Sequence, residues 1–76
     1  MNTAAKEKYW VGNVTPCDIC QQEIEDQFFD ARLAGRTSWA FLCRNCFGRY
    51  TERKLGVGFG QHYQKLSNGR WMKVEG

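Results

Sequence analysis

The stretch FLCRNCF, residues 41–47, places two cysteines two positions apart where a strand-like pattern gives way to a helical one. A pair in that setting is half of a metal knuckle, a redox couple or one arm of a disulfide framework. A second pair lies upstream in TPCDIC, residues 15–20, so the four cysteines run C-x2-C-x22-C-x2-C with none left over. Cys17, Cys20, Cys43 and Cys46 therefore form a matched set.

Working outward, length decides what such a set is for. A chain of 76 residues is one domain, and a core of that size buries too little apolar surface to be comfortable without a staple. The opening MNTAAKEKYW carries early charges and no apolar run that would serve as a signal peptide or a membrane span. A cytoplasmic location is expected, where thiols stay reduced and paired C-x2-C motifs are metal sites more often than disulfides. Four thiolates close a tetrahedral zinc site and leave no open coordination position, so one Zn2+ here is expected to stabilise rather than catalyse. A redox switch and a disulfide framework remain the alternatives.

Between the pairs the chain alternates. QFFDARL sets Phe28, Asp30 and Arg32 against Phe29, Ala31 and Leu33, AGRT makes a turn with Gly35, and SWAFL returns with Trp39 and Phe41 opposite Ala40 and Leu42. That is a hairpin pattern. The period then changes: Cys43, Phe47, Tyr50 and Lys54 fall on one face of a helix that runs toward Gly56, with Gly48 inside it at a cost of about 1 kcal/mol relative to Ala. GVGFG, residues 56–60, reads as a flexible connector, and Asn68-Gly69 predicts a second hairpin with strands near 61–66 and 70–74. In the N-terminal arm, Tyr9, Trp10, Val11 and Val14 are apolar enough to pack on the domain.

The order of CDIC, FFDARLAGRTSWAFL and CRNC resembles the treble-clef zinc finger, whose plan is a zinc knuckle, a β-hairpin and a helix carrying the last two ligands. SWAFLCRNCFGRY is also similar to the matching stretch of GATA-type fingers, in which the helix and the basic tail after it contact DNA, although the interval between pairs is longer here. The layout, with GVGFGQHY leading to NGRWMKVEG, also looks like that of small zinc-binding bacteriophage proteins, some of which act on the host's transcription machinery. These resemblances imply an α+β fold: a small zinc-stabilised treble-clef domain with knuckle, hairpin, short helix and C-terminal hairpin. They divide the chain into an arm at 1–14, a core at 15–55 and a Gly-rich loop with hairpin at 56–76.

Catalysis finds little support. Treble-clef nucleases bind a catalytic metal through histidines on the hairpin and helix, and those positions hold none; the one histidine, His62, lies outside both cysteine pairs. GVGFG does not follow the G-x-G-x-x-G phosphate-loop pattern and comes after a helix rather than opening one. The carboxylates of EIED, residues 23–26, have no partner base in sequence.

Charge points to binding. The formal charge is +3, with residues 1–30 at −4 and residues 31–76 at +7. Zinc held by four thiolates brings the total to about +1, so distribution matters more than sum. Arg32, Arg36, Arg44, Arg49, Arg53, Lys65, Arg70 and Lys73 are the candidate contacts to nucleic acid or a partner protein, with Trp39, Tyr63 or Trp71 as stacking rings. The expectation is a monomeric, non-enzymatic regulator of transcription that contacts RNA polymerase or nucleic acid, in a host's cytoplasm if phage-encoded. The alternative is a protein adaptor using exposed aromatics and the acidic loop. The two separate on one point: acids sharing a face with the helix arginines disfavour nucleic acid.

Overall fold

The computed structural model describes residues 9–76. Residues 1–8, and with them the first part of the expected N-terminal arm, lie outside it. The strands are β1 (Gln27–Arg32), β2 (Trp39–Leu42), β3 (Gly60–Lys65) and β4 (Trp71–Glu75), and the helix α1 (Arg44–Tyr50) follows β2. They make a small α+β domain in which one antiparallel sheet, ordered β2-β1-β3-β4, carries the helix and the cysteines on one face.

The two hairpins are therefore not separate units. β1 pairs with β2 on one side and β3 on the other, joining the C-terminal hairpin to the cysteine-bearing part through a central strand. Ala31 faces Gly60 in that pairing, and a Cβ on Gly60 would lie 2.8 Å from the Ala31 Cβ, so this position requires glycine.

Period-two alternation sends the β1 side chains to opposite faces. Phe29 and Ala31 join Ala40, Leu42, Phe47, Cys17 and Cys46 in the core beneath α1. Phe28 faces the other way and starts an aromatic row, stacked on Phe41 and Tyr63 and tilted against Trp71. Trp10 closes that row edge-on. Trp39, on the same alternation as Phe41, is 44% exposed and belongs to neither core.

Both sheet edges are covered. The cysteine knuckle lies along β2, where Asp18 N–H donates to the Phe41 carbonyl and Phe41 N–H donates to Asp18 Oδ2, each at 2.8 Å. The arm lies along β4, with Tyr9 bridging Met72 and Trp10 N–H donating to the Trp71 carbonyl. Tyr9 and Trp10 pack as expected, whereas Val11 is 86% exposed.

Two segments depart from the periodicity. The helix stops at Tyr50 instead of running to Gly56, because the first hairpin takes over its end: Ala34 N–H donates to the Tyr50 carbonyl, and Thr51 bridges Leu33. Thr51 Oγ1 also donates to the Phe47 carbonyl and accepts from Arg53 N–H, and Arg53 takes φ of 58°. The GVGFG segment is a closed turn rather than a loose connector. Gly56 and Gly60 exchange backbone hydrogen bonds at 2.7 and 3.0 Å, and Phe59 N–H donates to Gly56 as well. Those three N–H groups are thus not free to cradle a phosphate.

Candidate metal centre and binding surface

The first cysteine pair sits in a tight turn. Gln21 N–H donates to the Cys17 carbonyl and Cys17 N–H to the Gln22 carbonyl, both at 3.0 Å, and Gln21 adopts φ of 65° to close it. The second pair straddles the start of α1, where Cys43 is the N-cap and its Sγ accepts from Cys46 N–H at 3.4 Å. A sulfur here fills the place usually taken by a Ser or Asp oxygen.

Knuckle and helix start meet because Asp18 is bonded to β2, the strand that leads into Cys43. The four Sγ atoms lie within 4.8 Å of one another, and those of Cys20 and Cys43 are 3.7 Å apart. Tetrahedral zinc at about 2.3 Å from each sulfur separates its ligands by about 3.8 Å. The cluster is thus suited to hold one metal ion, and its donor set is consistent with structural Zn2+. Cys17 and Cys46 are buried and Cys20 faces solvent.

The thiols of the cluster are unequal. Burial opposes ionisation of Cys17, but the N–H groups of Cys20, Cys43 and Ile19 outweigh it and bring its pKa down to about 6. Burial and the neighbouring thiols push Cys46 up to about 12. The low Cys17 and high Cys46 values mark a cluster in which negative charge is shared unequally, and a divalent cation would displace thiol protons on binding.

The eight candidate basic residues do not converge. Arg44 opens α1 beside the acidic loop, in a groove also lined by Glu23, Glu25 and Asp26. Arg49 and Arg53, four apart in sequence, are separated by the end of the helix. Arg49 shares a groove with Ile19, Leu33, Ala34, Arg36 and Tyr50, whereas Arg53 lies near Phe47, Leu55 and His62. Lys65 and Arg70 pack over the rings of Trp71 and Tyr9, the latter at 3.9 Å, and Lys73 pairs with Tyr63. Tyr63 is buried within the aromatic row and cannot receive a base.

What the structure does gather is the far end of the first hairpin. β1 starts next to the acidic loop and ends at Arg32, so a full strand separates Glu23, Glu25 and Asp26 from the turn that holds Arg36. Arg32 stands opposite Trp39 across the hairpin, and its guanidinium lies 5.2 Å from the Phe59 ring, with the Lys54 amine also 5.2 Å from that ring. Tyr50 is 45% exposed nearby. No sequence pattern places Phe59, Lys54 or Ile19 here, since they reach this end only through the Gly56–Gly60 turn, the stopped helix and the knuckle.

His62 stands apart from the cysteines: its Nε2 is hydrogen-bonded to Gln27 Oε1 at 2.8 Å, and its ring stacks on Phe29. Among the described residues no helix is long and apolar enough to cross a membrane. No family model, curated protein or solved structure matches this chain.

Proposed function

We propose that this protein is a non-enzymatic module of treble-clef type, held together by one structural Zn2+ at Cys17, Cys20, Cys43 and Cys46, that binds an anionic macromolecule through the end of its first hairpin. The partner is nucleic acid, met alone or on the transcription machinery, with RNA polymerase the setting that the family resemblance favours. The observation that carries this is the spatial separation of charge. Arg32, Arg36 and Arg49 lie at one end of β1 with exposed Trp39 and Tyr50, and the EIED carboxylates lie at the other. Arg44, seated among those acids, is the helix arginine least suited to phosphate.

Phosphate contacts release counterions, so affinity should fall steeply with salt. The zinc-loaded protein, titrated with mixed-sequence nucleic acid at graded salt, is expected to show that dependence. The double variant Arg36→Ala, Arg49→Ala is expected to flatten the slope by about two contacts. An unchanged slope would remove the hairpin end from the contact.

A second reading has its own observation. The groove that brings Glu23, Glu25 and Asp26 beside Arg44 fits a basic protein surface. Capture of one defined protein from a lysate, resistant to nuclease and lost on changing those acids to their amides, would favour the adaptor.

A further inference from the structure

The residues at the hairpin end alternate in kind. Trp39, on β2, pairs across from Arg32 on β1; Arg32 lies against Phe59, and Lys54 lies against the same ring. Backbone bonds fix this row: Leu33 N–H donates to the Ser38 carbonyl and Arg32 N–H to the Phe59 carbonyl, each at 3.0 Å. Phe59 is half-buried and both cations lie over its ring, which ties them to one place on the surface. Trp39 is the one tryptophan on the aromatic side of the sheet that lies outside the ring row, and it is nearly half exposed. An indole beside fixed cations offers a flat apolar face and charge together, which is what an unpaired base on its phosphate backbone requires.

We infer that this end of the molecule is a binding site for single-stranded nucleic acid, in which an unpaired base stacks on Trp39 while its flanking phosphates meet Arg32, Arg36 and Lys54. The site rests on the nucleic-acid role proposed above and narrows it. A duplex presents its base faces only to each other, so an exposed indole gains nothing from it. The element that would enter a major groove is also poorly placed, because α1 has seven residues and starts beside Glu23, Glu25 and Asp26. The negative groups near the row are Asp30, two residues before Arg32 on the same face, and Glu52, which lines the groove of Arg32 and Arg36 and has its carboxylate 4.0 Å from the Lys54 amine.

The test is anisotropy of labelled oligothymidine with the zinc-loaded 76-residue chain, with a duplex of equal length and polyglutamate as competitors. Oligothymidine is expected to bind more tightly than duplex, and Trp39→Ala to weaken it about tenfold, the loss of one stacked base. Trp39→Phe should recover most of that loss, and thermal melts should show both variants folded, since the side chain is in neither core. Duplex binding as tight as single-strand binding, or a Trp39→Ala variant with unchanged affinity, would overturn the single-strand site and leave the nucleic-acid role standing. Failure to bind either nucleic acid, or displacement by polyglutamate at equal charge concentration, would overturn both.

Discussion

The two faces of the sheet are built on different principles. Under α1 the buried residues are Cys17, Phe29, Ala31, Ala40, Leu42, Cys46 and Phe47, so most of the layer is small and two members are metal ligands in waiting. On the opposite face Phe28, Phe41, Tyr63 and Trp71 form a row closed by Trp10, with ring centroids 4.1–5.8 Å apart. The first face has little apolar volume and is built around the cysteine cluster; the second is organised by ring packing. Because β1 supplies residues to both, each face can be challenged separately.

The metal face should give the largest effect. Structural zinc contributes about 10–16 kcal/mol in finger peptides, comparable to the entire stability of a small domain. Chelation, or Cys17→Ser, is expected to abolish the cooperative thermal transition, with loss of the helical circular dichroism signal. A sharp melt surviving chelation would show that the aromatic row holds the fold alone. On the other face, Phe28 is fully buried, and Phe28→Ala should cost about 3–5 kcal/mol, read from denaturant melts of the zinc-loaded protein. Metal stoichiometry should stay at one per chain; a variant that also loses its metal would mean that the faces are coupled through β1.

What was legible in the sequence follows the same division. The cysteine spacing, the first hairpin and Asn68-Gly69 are local signals, and the strands fall within a residue or two of where alternation puts them. Helix length was not legible, because α1 is stopped by Ala34 and Thr51 meeting the hairpin, contacts that no periodicity encodes. The arginines misled for a related reason. Arg49 and Arg53 share a helical face only if the helix continues, and Arg53 instead takes a left-handed backbone beyond it. Trp39 and Phe41 look alike in an alternating strand, yet Trp10 and Phe28 cover Phe41 and leave Trp39 outside.

Gly48 sharpens the contrast from within α1. Its cost would be repaid if another element packed against it, but a Cβ there would have no neighbour within 4 Å. Gly48→Ala is therefore expected to stabilise the zinc-loaded protein by about 0.5–1 kcal/mol, seen as a raised denaturation midpoint with unchanged slope. A destabilised variant would mean that α1 is held in a geometry alanine resists.

The smallest effect belongs to His62, which lies on the metal face but outside the cluster. Burial against Phe29 holds its pKa below the ordinary value of 6.5; the Arg44 charge pushes the same way and the Glu75 charge opposes it. The unfolded chain therefore takes up this proton at a higher pH than the folded one, and between the two pKa values folding must give it up. Its contribution to stability is complete above 6.5 and is lost as pH falls through the folded pKa. His62→Gln has no such proton and keeps an amide to face Gln27. Thiolate protonation also weakens metal binding in acid, but it acts on both proteins alike, so the difference in Tm between wild type and His62→Gln isolates the imidazole. That difference is expected to shift against the wild type on going from neutral pH toward pH of about 5. A flat difference would place His62 in contact with solvent rather than in the layer beneath α1, and a shift of opposite sign would require Glu75 to outweigh both the burial and Arg44.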